Sequence, residues 1–468
     1  MSLSSALFSG LSGLSTLGNS LTVIGDNIAN VNTVGFKPNR VTFQDVMSQN
    51  VATAAGTAQV GRGTALADIS TNFAQGSFES TDSSTDLAIG GEGFFVVRDP
   101  NSAENEFYTR AGDFRFDKDG YFTTSGGYIA RGWEVNTSGE ATGSVGDIAL
   151  SSFTSSPVAS TSMSLMTNLS SESTSNVAAL DLVWDGDNPN STFLAPANYD
   201  HQSTVKIYDS LGQTHDITAF YDMSSTANIW EYIITCAPAD DERTDAAGNG
   251  QGLLARGTMT FNTSGSITGM TMDNFNGQND MTSGWSAAAL PNGYLTFEPS
   301  FVTGSTMSVA FNPGLRYNST TLAWEAEALS SSQYAQPSST VFQSADGYGS
   351  GGLETISVGI DGIITGNYSN GEVIPLYQVT LAKFQNQQGL YKCGGNLWRE
   401  TRLSGDPVTG APGTNGLGSI AANSLEQSNV DIASEFVKMI TTQRGFQANS
   451  KIISVTDEMM AQLMSLKR

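Results

Sequence analysis

The run Arg115-Phe116-Asp117-Lys118-Asp119-Gly120 places two aspartates and a glycine at a spacing that could begin a calcium loop. Such a loop needs an oxygen ligand at its first position, where Arg115 stands, so the run reads as two strands turning through an Asp-Gly pair. Asp185-Gly186-Asp187 lacks the downstream bidentate acid. Gly90-Gly91-Glu92-Gly93 lacks the third glycine and the following helix of a dinucleotide loop. His201 and His215 have no nucleophile near them in sequence, which predicts a surface or satisfied structural role. The two cysteines, Cys236 and Cys393, are too few for a disulfide framework or a cysteine-rich metal site and read as ordinary strand residues. Trp184, Trp230, Trp285 and Trp324 would suit a carbohydrate-binding surface, but tryptophan at strand spacing points to core. No local carboxylate pair stands out for glycoside hydrolysis. The sequence thus predicts no catalytic, cofactor-binding or metal-binding residue, and no enzyme.

The elements around these residues follow from composition. The 468 residues include 45 acidic and 21 basic side chains, a formal charge of −24. That charge argues against nucleic acid and anionic membranes as partners. Only 14% of residues are charged and 50 are glycine, which points to turn-rich β domains with uncharged polar faces. The length predicts about two to four domains. No apolar run reaches the roughly 18 residues of a membrane span. The N-terminus has no basic residue before Lys37, and Ser9, Gly10, Ser12 and Gly13 break its apolar run, so it is expected to be a retained segment rather than a cleaved signal.

Both ends carry a 3–4 apolar repeat. Leu3, Leu7, Leu14, Leu17, Leu21, Ile24, Ile28 and Val31 form one seam, with Gly10 in register. Gly10, Gly13, Gly18 and Gly25 each cost a helix about 1 kcal/mol, so this segment is expected to be helical only when packed. The second seam holds Ile432, Phe436, Met439, Phe446, Ile453, Met460 and Met464. A helix is predicted over about 428–466, capped by Ser424 with Gln427 or by Asn429. The N-terminal seam is its expected partner.

Between the ends the period changes to strands and turns. Hairpins are predicted at Phe114–Thr123 and Gly359–Ile364, with a turn at Asn370-Gly371. Residues 151–335 hold 18 acidic and 4 basic side chains, a net of −14, and are expected to face outward. Residues 237–255 read as an exposed loop. The predicted fold is multidomain α+β: paired, coiled-coil-like terminal helices with nested, mostly antiparallel β domains between them. The expected divisions are 1–36 with 425–468 for helical assembly, 37–75 with 400–424 as a connector, 76–150 with 336–399 as an inner β domain, and 151–335 as an acidic outer β domain.

Two terminal motifs are specific. Asn27-Ile28-Ala29-Asn30-Val31-Asn32-Thr33-Val34-Gly35-Phe36-Lys37 resembles the N-terminal motif of the flagellar rod and hook axial family. Leu425-Glu426-Gln427-Ser428-Asn429-Val430-Asp431 and Gln443-Arg444-Gly445-Phe446-Gln447-Ala448-Asn449 resemble its C-terminal motif. Tyr108-Thr109-Arg110-Ala111-Gly112-Asp113-Phe114 is similar to the family's inner β domain, and Tyr208-Asp209-Ser210-Leu211-Gly212 to the outer domain of its hook members. The resemblance implies an extracellular hook subunit, exported without a cleaved signal by the flagellar type III apparatus. It implies a homopolymer, a curved helical tube acting as a universal joint that passes motor torque to the filament. Its implied partners are the distal rod protein, the hook cap and the hook-filament junction proteins. The alternatives are a distal rod-type axial protein and, from another class, a surface β-rich adhesin. The motif residues Asn27, Asn30, Thr33, Gly35, Phe36, Ser428, Asn429, Val430, Asp431, Arg444 and Asn449 would then serve assembly.

Overall fold

The computed structural model describes residues 3–466 apart from 54–55, 103–104, 151, 178, 189–191, 244–247, 277–280, 282–283 and 303–304. The chain forms two compact units, residues 1–153 with 353–468, and residues 154–352.

In the first unit, α1 (Leu3–Ala29) and α2 (Ile432–Leu466) run antiparallel. At about 1.5 Å per residue they span roughly 40 and 52 Å. α1 ends in the turn Asn30–Gly35, where Gly35 adopts φ +67°. A Cβ there would lie 2.6 Å from the Ala111 nitrogen, so the close approach requires glycine. α2 begins later than its sequence suggests. Asp431 is the cap, its Oδ1 accepting from the Ala433 nitrogen at 2.9 Å. Ser424 cannot cap because Ser424–Glu426 is a strand paired with Phe78–Ser80. Asn429 is occupied elsewhere, donating to the Ala74 carbonyl at 2.8 Å.

The rest of this unit is antiparallel β. Asn39–Asp45 pairs with Thr64–Thr71, and Gln49–Thr53 with Gly56–Val60. The core gathers Leu87, Ile89, Phe95, Phe114, Phe122, Ile148 and Ile364. The Asp-Gly hairpin forms as expected: Phe122 pairs with Phe116 and Thr124 with Phe114, Gly120 has φ +84°, and Asp117 Oδ1 accepts from the nitrogens of Asp119 and Tyr121. The turns at Gly362 and Gly371 also form, with φ +75° and +85°.

The second unit is a sandwich. Six antiparallel strands run in chain order from His201–Tyr208 to Trp285–Ala287. They face a five-stranded sheet in which Ser162–Ser170 pairs parallel with both Val309–Asn312 and Ser332–Tyr334. The inner faces share one core, including Leu165, Ile217, Tyr221, Trp230, Tyr232, Met259 and Phe311. Residues 237–255 are not one exposed loop. Asp241 is buried against Arg243 at 2.7 Å and accepts from the Gly252 nitrogen at 2.8 Å, and Leu253–Ala255 is buried strand. The reading as an exposed loop fails because Asp241 and Arg243 form an ion pair inside the fold.

Candidate functional site

The terminal motifs lie nearly 400 positions apart in sequence and meet in space. Lys37 and Glu426 have no exposed side-chain surface and pair at 2.6 Å. The second Glu426 oxygen faces Arg110 at 3.3 Å. Glu426 Oε1 also accepts from the Gly76 nitrogen at 2.8 Å. Lys37 donates to the Ala74 carbonyl, and Arg110 to the Gly91 carbonyl. Two cations and one carboxylate are therefore held almost wholly out of contact with bulk solvent. Burial pushes the Lys37 ammonium and the Arg110 guanidinium below their usual values, and Glu426 opposes both shifts. Such a cluster tolerates loss of its anion poorly, because two buried positive charges would remain.

The motif residues explain themselves around it. Asn27 reads the Asn39 backbone at both ends: its Nδ2 donates to the Asn39 carbonyl and its Oδ1 accepts from the Asn39 nitrogen, each at 2.9 Å. Its Nδ2 also reaches Glu435 of α2 at 3.3 Å. Asn30 donates to Asp26 and accepts from Thr33, closing the turn after α1. The Gly35 nitrogen donates to the Glu426 carbonyl at 2.7 Å, and Phe36 is buried beneath the Lys392 ammonium. Ser428 Oγ accepts from Val430, itself half-buried, while Asn429 ties to Ala74 and Asp431 caps α2. Arg444 is exposed, and Asn449 lies against Gly13.

The predicted assembly seams divide. On α1, Ile24 is buried, while Leu7, Leu14, Leu17, Leu21 and Ile28 are half-buried; Val31 lies in the turn beyond the helix, and the Leu3 side chain falls outside the described residues. The fully buried stripe is instead Gly10, Gly13, Thr16, Ser20, Ile24 and Asn27. A Cβ on Gly10 would sit 3.3 Å from Ile453, one on Gly13 2.6 Å from Asn449, and one on Gly445 3.3 Å from Leu17. The two helices thus approach through small residues, and the leucine seam flanks that line rather than filling it. Gly18 and Gly25 face open space.

On α2, Met439 and Ile453 are half-buried, whereas Ile432, Phe436, Phe446, Met460 and Met464 are exposed. Val437, Ile440, Ile452, Val455 and Met459, which the single-seam reading missed, are exposed as well. α2 is therefore apolar on several faces, and α1 covers one of them. The signal was present in the sequence as a second apolar series, 437, 440, 452, 455 and 459, offset from the first.

The residues singled out for other chemistry are placed in structure. His215 stacks on Phe301, its ring nitrogens 3.2 Å from Asp240 and 3.4 Å from Asp209. Half-burial lowers the His201 imidazole below its usual value. Cys236 is a buried strand residue whose thiol burial pushes up, and Cys393 an exposed one. Trp184 and Trp230 are core, Trp285 lies under the Arg256 guanidinium, and Trp324 packs against Tyr317.

Four family descriptions match along the chain. "Flagella basal body rod protein" matches residues 7–37, "Flagellar hook protein FlgE/F/G D1 domain" 88–154, "Flagellar basal body protein FlaE D2 domain" 168–348, and "Flagellar basal body rod FlgEFG protein C-terminal" 421–466. The flagellar hook protein of Treponema pallidum is 33% identical over 99% of both chains, and that of Borreliella burgdorferi 32% over 99% of both. The hook protein of Escherichia coli K12 is 28% identical over 98% of both. By this full-length likeness the chain belongs to the flagellar hook protein family.

Proposed function

We propose that the chain polymerises through its terminal helices into a curved helical tube that transmits motor torque as a universal joint. The observation that carries this reading is the uncovered apolar surface of α2. Phe436, Val437, Ile440, Ile452, Val455, Met459 and Met460 are all at least 38% exposed. Fully burying such a side chain contributes about 1.5–3 kcal/mol, and these are about half exposed, so the set contributes on the order of 5–10 kcal/mol. Contacts between unlike patches of identical chains that do not close into a ring propagate as an open helix. In this reading residues 1–36 with 425–468 form a coiled-coil-like wall, 37–75 with 400–424 connect it to an inner β domain of 76–150 with 336–399, apart from 336–352, which fold with the second unit, and 151–335 lie outermost. The acidic outer domains meet through polar, hydrated contacts that exchange at small cost as the tube turns. The flagellar type III apparatus, the distal rod protein, the hook cap and the hook-filament junction proteins are the partners proposed from the family.

Val437→Asp and Ile440→Asp test this, since both side chains are exposed in the single chain. Each variant should keep the native circular dichroism spectrum and melting temperature yet form no tubes by electron microscopy. Normal tubes from both variants would remove α2 as the assembly surface.

A further inference from the structure

The outer sandwich carries a cavity that assembly through α2 does not use. It has a volume of about 330 Å³, at the small end of ligand-sized pockets. One wall is aromatic. Buried Trp184 forms its base, with Phe193 at 5.7 Å and Phe220 at 6.3 Å between ring centroids, and Tyr199 meets Phe220 edge-on at 4.9 Å. Phe193, Tyr199 and Phe220 are each half-exposed. The other wall is polar. Gln202 lies directly across the ladder from Phe220, and Asp216 sits two residue pairs along the same face. Among the described residues, neither of these side chains nor the Tyr199 hydroxyl has an intramolecular hydrogen-bond partner, although the neighbouring Thr218 and Thr235 hydroxyls are paired.

We infer that this cleft binds a neutral saccharide, a monosaccharide or disaccharide unit of a larger glycan. The lining chemistry selects among ligand classes. Among the described residues no lysine or arginine lines the cavity, although Lys206 stands across the ladder from Asp216, and the lining carboxylate disfavours phosphate, sulfate and acidic peptides. A wholly apolar ligand would leave the Asp216 carboxylate and Gln202 amide desolvated and unpaired. A sugar ring matches both walls: its C–H face stacks on the exposed rings, and its edge hydroxyls donate to Asp216 and exchange bonds with Gln202 and Tyr199.

The test uses the full chain below its assembly concentration, with cellobiose, maltose, lactose and N,N′-diacetylchitobiose as probes. Saturation-transfer NMR and tryptophan fluorescence should show saturable binding of at least one, with Kd on the order of 1 mM. Gln202→Ala and Asp216→Asn, both solvent-facing, should weaken it about tenfold with the melting temperature unchanged, and Phe220→Leu should abolish it. The inference is overturned if none of the four saturates, or if binding is equal in all three variants. Binding of a proline decapeptide in place of every sugar would overturn it in favour of a peptide groove. None of these outcomes bears on tube formation, so the hook reading stands or falls separately.

Discussion

In the sandwich of residues 154–352 the large apolar side chains turn inward: Trp230, Tyr221, Tyr232 and Phe311 are fully buried in one shared core. Along α2 the same kinds of side chain turn outward, and the contact with α1 is made by Gly10, Gly13 and Gly445 against Ile453, Asn449 and Leu17. The sandwich buries its apolar side chains within itself, whereas α2 leaves its own exposed, the surface proposed above for neighbouring copies. A contact through glycines buries little area per residue, so the helix pair has small intrinsic stability and depends on its junction with the β region. The Lys37–Glu426–Arg110 cluster sits at that junction, and it fixes geometry more than it contributes free energy. The difference teaches that one chain can enclose its apolar side chains in one region and leave them uncovered in another.

That contrast can be broken at either side. Glu426→Gln should have the largest effect, about 3–5 kcal/mol, because Lys37 and Arg110 would remain buried with no anion between them. Denaturant unfolding followed by helix signal should register it, with the sandwich's tryptophan transition, read in a Trp133→Phe, Trp398→Phe background because those two tryptophans belong to the first unit, unmoved. A coincident shift of both transitions would show that the regions are one cooperative unit. Met259→Ala, in the sandwich core, should cost about 2–5 kcal/mol and appear in the tryptophan transition, leaving tube assembly from folded subunits intact. If it instead melts the helices, the sandwich is not self-sufficient. The smallest effect sharpens the picture of the helix contact. Gly18→Ala, facing open space, should stabilise α1 by about 1 kcal/mol, whereas Gly13→Ala should not, since the new methyl would press on Asn449. Equal gains at both sites, read by thermal melting, would show that the close approach at Gly13 is dispensable.

Much of this was legible in the chain. Asp119-Gly120, Asp361-Gly362 and Asn370-Gly371 gave their turns because positive φ is a local demand that a dipeptide advertises. The terminal helices were visible as 3–4 repeats for the same reason. The cap was misplaced because Ser424, a good cap by type, is claimed by a strand partner more than 300 residues away. The buried stripe of α1 was misjudged because periodicity marks where leucines fall, not which neighbour is small enough to come close. The polarity of 237–255 read as solvent exposure, although Asp241 and Arg243 neutralise each other inside the fold.

The sequence by itself determined the periodic elements, the acidic middle and the family, since each rests on residue type and short spacing. Only the tertiary structure decided that Lys37, Arg110 and Glu426 share one dry cluster, that glycines rather than leucines join the helices, and that α2 is left with apolar faces uncovered. These are facts about distant residues brought within a few ångströms, where desolvation and close contact act, and no local spacing encodes them.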